Sequence, residues 1–332
     1  MEIGVETLTV HTKRPFAIAR GSSDAFERVV LTLEEGGVTG RGEAAPTDYY
    51  EQDATSIAEA LGRVLIRDSW DIEGTLKENS SLPPSALAAL DSALHDLAAR
   101  RLGVPVYRLL GLARPEPQSA YTLGIADPET TLREAKKLQD FPIFKMKVGD
   151  REDLATVRAV AEASDAALWV DANEAFLPEE APGVARELEE MDVVRLIEQP
   201  VPASAGPEAL RMVTEAAKPV PVIADEGAVD VRDLPRLAGR ATGVNVKLAK
   251  CGGIRRALEM IHVARAHDML VMLGCMVETS LGIAAAAQIS GLVDFVDLDG
   301  AMLLADDPFC GLGYEKGRIL LPQTPGLGVE PL

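Results

Sequence analysis

The 332-residue chain is poor in cysteine: Cys251, Cys275 and Cys310 are the only three, and none forms a C-x-x-C pair. That excludes a disulfide framework and a zinc ribbon, and it fits a reducing cytoplasm. Basic residues are scarce as well. Against 52 Asp and Glu stand 33 Lys and Arg, a formal net charge of −19. Such a balance serves solubility and argues against nucleic acid and anionic membrane surfaces as partners. No apolar run approaches the roughly 18 residues a membrane span requires. The opening Met1-Glu2-Ile3-Gly4-Val5-Glu6 has neither the basic start nor the apolar stretch of a signal peptide. A Gly-x-Gly-x-x-Gly after an early strand is also missing, so a doubly wound open sheet is only the second choice of architecture. Histidine numbers four, and none closes a β-rich run; a histidine base is disfavoured.

What is present divides the chain in two. Glu2–Val10 and Arg28–Leu33 read as strands, and Glu34-Glu35-Gly36-Gly37 reads as a hairpin turn. Ser85–Arg101 has helical periodicity, with prolines before it and Gly103 and Pro105 after it. Strands followed by helices predict an α+β unit over residues 1–115, completed by 303–332. From Gln118 onward, eight short β-rich runs alternate with seven helix-like stretches. One polar residue near each run's end (Thr122, Lys147, Asp171, Glu198, Asp225, Lys247, Cys275, Asp299) gives intervals of 25, 24, 27, 27, 22, 28 and 24. This regular period predicts an α/β fold, a (β/α)7β TIM-like barrel over 116–302 with an N-terminal α+β capping domain. Chemistry in such barrels sits at the C-terminal ends of the strands.

Three of those ends carry lone acids behind apolar residues: Asp171, Glu198 and Asp225. Strand residues two apart share a face, so Asp171 and Asn173 point inward together. Oxygen donors at three consecutive strand ends favour a hard cation, Mg²⁺ first; helix capping and salt bridging are the plainer explanation for any single acid. Glu226 is expected to face away, behind the ligands. Lys145 and Lys147 also share the inward face, and Lys247 stands across the barrel. Adjacent ammoniums and partial burial are expected to lower lysine proton affinity toward that of a usable base, although Lys-x-Lys on an isolated strand is most often a solvated edge. Lys250 reads as a loop residue, solvated or facing a phosphate. Asp297 and Asp299 point inward at the last strand, where they could take a substrate ammonium or an arginine. Cys275 has no histidine partner in view and reads as packing.

Phe144-Lys145-Met146-Lys147-Val148-Gly149, Asp171-Ala172-Asn173, Glu198-Gln199-Pro200, Ala224-Asp225-Glu226 and Lys247–Gly253 together resemble, in order and spacing, the muconate lactonizing enzyme subgroup of the enolase superfamily. Within it, Asp297-Leu298-Asp299-Gly300, Gly274–Ser280 and Tyr121-Thr122-Leu123 resemble the dipeptide epimerases, the L-Ala-D/L-Glu epimerase family. The resemblance implies Mg²⁺ on Asp171, Glu198 and Asp225. It also implies Lys147 and Lys247 as acid and base, with Lys145 tuning Lys147. A dipeptide substrate would have its amino group on Asp297 and Asp299, and Thr122, Asn173 and Arg20 join the substrate-binding set. The implied reaction inverts the α-carbon of the C-terminal residue through an enediolate, the lysine-plus-Mg²⁺ pattern known for this superfamily. Arg20 reads equally as a surface residue or as a selector of an acidic side chain. o-Succinylbenzoate synthase, N-acylamino acid racemase and muconate cycloisomerase chemistry are the alternatives, and a non-catalytic binding barrel is a further one. Barrels of this kind are often homo-oligomers.

Overall fold

The computed structural model describes residues 1–332. The chain begins with an antiparallel sheet, β1 (Glu2–Ile18), β2 (Gly21–Glu35) and β3 (Val38–Ala44), in that order. Gly36 and Gly37 take φ of +62° and +75° at the β2–β3 hairpin, the mirror-image turn that two glycines accept without a Cβ penalty. Helices α1 (Ala54–Leu61), α2 (Ile72–Glu78), α3 (Pro84–Leu102) and α4 (Val106–Leu109) follow. Pro84 opens α3, and Gly103, in the left-handed region, closes it. α3 packs backbone-close on β3: a Cβ on Gly42 would lie 2.1 Å from the Ala89 carbonyl oxygen. Leu31, Leu33, Ile57, Leu90, Leu94 and Leu97 fill the core between them.

Eight parallel strands come next: β4 (Tyr121–Leu123), β5 (Ile143–Lys147), β6 (Ala167–Asp171), β7 (Val194–Glu198), β8 (Val222–Ala224), β9 (Gly243–Lys247), β10 (Leu270–Gly274) and β11 (Phe295–Asp297). Each pairs with its neighbour in sequence, and Ala120 N–H donates to Val296 O at 3.0 Å to close the ring. Around it lie α5 (Pro128–Lys137), α6 (Asp153–Ala163), α7 (Ala181–Glu189), α8 (Pro207–Ala216), α9 (Leu234–Leu237), α10 (Leu248–Cys251), α11 (Ile254–Ala266) and α12 (Ser280–Ala287). The sequence expectation of a (β/α)7β barrel with a capping domain therefore holds. After α13 (Gly300–Leu303) the tail returns to the cap, where Leu327 N–H donates to Asp96 at 2.7 Å and Arg100 to Val329 O at 3.0 Å. No helix is long and apolar enough to cross a membrane.

Period-two alternation sorts the barrel interior into layers. Ala120, Trp169, Leu196, Ile223 and Met272 form an apolar plug at the lower end. The next inward residues toward the mouth are Thr122, Asp171, Glu198, Asp225 and Gly274, so one step of two residues turns an oily floor into a charged layer. Outward residues such as Phe144, Val170, Ile197 and Val246 are fully buried under the helices. The sheet thus leaves its polar side chains no route except inward.

Several boundaries differ from expectation. β1 runs past Val10 to Ile18 and β2 starts at Gly21 rather than Arg28, so Arg20 lies in a hairpin turn. Lys13-Arg14-Pro15 hides this continuation; pairing resumes at Phe16 after a register shift. Asp299 lies beyond β11 and precedes α13.

Candidate active site

A cavity of about 720 Å³ opens between the barrel mouth and the cap. Lys145, Lys147, Asp225, Lys247, Asp297, Asp299, Thr122 and Asn173 line it from the barrel, and Ile18, Arg20, Tyr49 and Tyr50 from the cap. Asp171 and Glu198 lie beneath, fully buried.

Each of the three strand-end acids has two differently occupied oxygens. Asp171 Oδ1 accepts from the Asn173 backbone N–H at 2.9 Å, while Oδ2 lies 2.6 Å from Lys147 Nζ and 2.9 Å from Lys145 Nζ. Glu198 Oε1 accepts from Asn245 Nδ2 at 2.7 Å. Its Oε2 has no well-directed hydrogen bond, only the Lys145 charge 2.8 Å away. Asp225 Oδ1 accepts from Lys250 at 2.6 Å, and Oδ2 from Lys247 at 2.8 Å. One oxygen per acid is tied to the scaffold; the other meets a lysine that lines or underlies the cavity.

The charges shift one another. Burial pushes the Asp171 carboxyl up, but the Lys145 and Lys147 ammoniums overcome this and hold it below the usual range. Asp225 is likewise held low against its burial, by Lys247 and Lys250. Glu198 has weaker compensation; burial, with Asp171 beside it, pushes it up to about 7. Lys145 reverses one expectation, and Lys247 behaves as it does. Burial lowers Lys145 and Lys247, yet the acids around them win and both end above the ordinary lysine value. Ion pairing with the acids outweighs ammonium–ammonium repulsion because it acts at 2.7–2.9 Å.

The acids are not drawn around one point as they stand, because ammonium groups lie against their inner oxygens. The donor set nevertheless suits a hard divalent cation. It consists of oxygen only, comes from the ends of adjacent strands β6, β7 and β8, and leaves the inner oxygens with no partner except lysine ammoniums.

Across the mouth, Asp297 Oδ2 accepts from Lys145 at 2.7 Å, and its Oδ1 is buried without a partner. Asp299 accepts the Thr122 backbone N–H at 2.6 Å. Burial, then the neighbouring Asp297, pushes Asp299 up to about 7. Thr122 thus serves the site through its main chain.

Three residues depart from expectation. Lys250 is no solvated loop lysine: it is 1 % exposed, and Nζ also donates to Asp225 O at 2.6 Å and Asn245 O at 2.9 Å. Glu226 does not face away but lines the cavity, where Oε1 accepts from Arg20 at 2.7 Å and from Asn173 Nδ2 at 3.2 Å. Arg20 is already engaged, for it also donates to Asn173 O at 3.0 Å and stacks over Tyr49 at 4.5 Å. Asn245 escaped the sequence reading, although its place two residues before Lys247 puts it on the inward face. Gln199, whose Oε1 accepts the Asp225 N–H at 2.8 Å, carried no comparable signal.

Residues 2–111 match the family model described as mandelate racemase / muconate lactonizing enzyme, N-terminal domain, and residues 130–332 match enolase C-terminal domain-like. The L-Ala-D/L-Glu epimerase of Bacteroides thetaiotaomicron is 37% identical over 95% of this chain and 84% of its own. An L-Ala-D/L-amino acid epimerase of Maribacter is 34% identical over 99% of both chains. The dipeptide epimerase of Enterococcus faecalis, solved with Mg and L-Leu-L-Tyr, superposes with a TM-score of 0.92 at 29% identity, covering 99% of this chain and 98% of that one. The chain therefore belongs to the enolase superfamily, on its mandelate racemase / muconate lactonizing enzyme branch and among the dipeptide epimerases.

Proposed function

We propose that the protein is a Mg²⁺-dependent dipeptide epimerase that inverts the α-carbon of the C-terminal residue by proton transfer between Lys147 and Lys247. The carrying observation is their placement. The two lysines end strands β5 and β9, four apart in a ring of eight, and both line one cavity. Two amines on opposite walls address the two faces of a carbon held between them.

Asp171, Glu198 and Asp225 would hold the cation, which when bound supplies electrophilic stabilisation of the charge that builds on the substrate carboxylate. Asp297 and Asp299 would bind the peptide's ammonium, which suits the unpartnered Asp297 Oδ1. One lysine, as the free amine, takes the α-proton, and the C–H electron pair delocalises into the carboxylate. The other, as the ammonium, delivers its proton to the opposite face. Release of Lys147 and Lys247 from their acids is part of this: the carboxylates that hold Lys247 protonated are those the cation would engage. Lys145, which contacts Asp171, Glu198 and Asp297, adjusts the charge between the metal and ammonium subsites.

The strongly negative chain supports a small-molecule substrate over nucleic acid, and its three free cysteines support a cytoplasmic setting. The residue-level roles are tested by proton NMR of L-Ala-L-Glu and a panel of other dipeptides in D₂O with Mg²⁺, with a chelator control. Metal-dependent loss of the C-terminal α-proton signal, with appearance of the L,D diastereomer, is expected. Exchange in N-acylamino acids but in no dipeptide would overturn the substrate assignment.

A further inference from the structure

The outer oxygens of the three acids are tied by three different donors, and two of them come from one segment. Asn245 lies on β9, and Lys250 lies in α10 immediately after it. We propose that Asn245 and Lys250 are positioning residues that lock the outer oxygens of Glu198 and Asp225, and thereby set the affinity of the carboxylates for their divalent cation. This rests on the metal-dependent reading above and goes beyond it, since neither residue would touch cation or substrate.

Lys250 makes three bonds, to Asp225 Oδ1, Asp225 O and Asn245 O. An ammonium has three protons, so all are committed and Lys250 has no proton or lone pair for chemistry. Its position between strands β8 and β9 fixes both the side chain and the main chain of Asp225. Without it, Asp225 would present two equivalent oxygens and could turn fully onto Lys247, already 2.8 Å away. Asn245 does for Glu198 what Lys250 does for Asp225, without a charge.

Gly274 shows that the fold reserves room for this amide. It lies beside Lys247 in the β9–β10 register. A Cβ built on it would stand 2.6 Å from Asn245 Oδ1 and 2.8 Å from Nδ2, and its three nearest atoms all belong to that side chain. A methyl group at 274 therefore acts on Asn245 first. Outer partners of metal ligands typically govern affinity by about 10- to 100-fold.

The test is calorimetric titration of Mg²⁺ into chelator-treated full-length protein, with circular dichroism and thermal unfolding to confirm the fold. Asn245→Ala is expected to weaken Mg²⁺ binding by about 10- to 100-fold, and Lys250→Met by about 10-fold or more. Gly274→Ala is expected to weaken it in the parent but to add nothing in the Asn245→Ala background, the non-additivity that one shared side chain requires. A folded Asn245→Ala protein that binds Mg²⁺ within about twofold of the parent would overturn the proposal. So would a Gly274→Ala penalty that persists undiminished when Asn245 is gone. A parent that binds no Mg²⁺ would overturn the metal reading and this inference together. If Mg²⁺ binding and the variant pattern hold while no dipeptide exchanges, only the substrate assignment falls.

Discussion

The two walls of the barrel mouth hold their buried acids differently. On the β6–β8 wall every acid has one oxygen tied down, by the Asn173 amide, by Asn245 or by Lys250. On the β11–β4 wall, Asp297 keeps one buried oxygen without a partner, and Asp299 has a single backbone donor. Leaving a buried acceptor unsatisfied costs about 1–3 kcal/mol; Glu198 Oε2 on the first wall also lacks a hydrogen bond but has the Lys145 ammonium 2.8 Å away, whereas Asp297 Oδ1 is buried without a partner. The contrast fits two kinds of guest. A resident cation is best met by rigid, pre-aimed oxygens, whereas a transient ammonium is best met by acceptors that it completes on arrival.

The largest effect should come from the lysines that mediate between the walls. Lys147→Met and Lys247→Met are each expected to lower epimerisation by at least about 10³-fold, within the range for loss of a general acid or base. Each variant should still exchange the α-proton of one diastereomer with D₂O, because one face keeps its base. NMR on each diastereomer separately reads this directly. Equal residual exchange of both diastereomers in both variants would mean that Lys147 and Lys247 do not address opposite faces.

The second wall is tested next. Asp297→Asn and Asp299→Asn should lower kcat/KM for dipeptides by about 10- to 100-fold, the worth of a charged hydrogen bond of roughly 1.5–3 kcal/mol. Calorimetric Mg²⁺ affinity should stay within about threefold of the parent, a difference on the order of 0.6 kcal/mol. A large loss of Mg²⁺ binding in either variant would erase the distinction between the walls.

Much of the first wall was legible in the chain. An acid ending an apolar strand, repeated at the period of a βα unit, predicts its own inward direction because the outward face must be oily. Lys145, Lys147 and Lys247 follow from the same alternation. Partners that cross between strands were harder to see. Lys250 looked like a loop lysine because α10 is only one turn long, and nothing local reveals that Asp225 waits beside it. Arg20 depends on a hairpin whose β1 strand is largely exposed, so no alternation marks its extent. The proton affinity of Lys145 departs from expectation for a related reason: sequence shows which ammoniums are neighbours, but not which carboxylates lie closer.

An acid outside both walls serves as a control for the comparison. Glu43, on β3 of the cap, is buried and pushed up to about 7, by burial first and then by Glu278. It already has donors in the Thr279 N–H at 3.0 Å and the Thr279 hydroxyl, so it awaits no guest. Because its folded value lies above the ordinary 4.5, the unfolded chain ionises first. Stability contributed by this group is full below about 4.5 and is lost as the pH rises through about 7. Glu43→Gln should reduce the fall in unfolding free energy between pH 5 and pH 8 by about 2–3 kcal/mol, with 1.36 kcal/mol for each pKa unit. Chemical denaturation at both pH values measures it, and an unchanged slope would show that Glu43 titrates as an ordinary carboxyl.

The smallest effect concerns the lip of the cavity. Arg20 is partly exposed, yet its guanidinium is shared by Glu226, the Asn173 carbonyl and the Tyr49 ring. An acidic substrate side chain would have to compete with a Glu226 carboxylate already 2.7 Å away, and that buried acid would lose its ionic partner in the exchange. Arg20 therefore behaves as a fastening between cap and barrel rather than as a free cation. Arg20→Met is expected to change kcat/KM for L-Ala-L-Glu and for a dipeptide with an apolar second residue by the same factor, within about threefold, because a difference that small is under 1 kcal/mol. A loss confined to L-Ala-L-Glu would show instead that Arg20 leaves Glu226 when an acidic side chain arrives, which would place it with the waiting groups of the second wall.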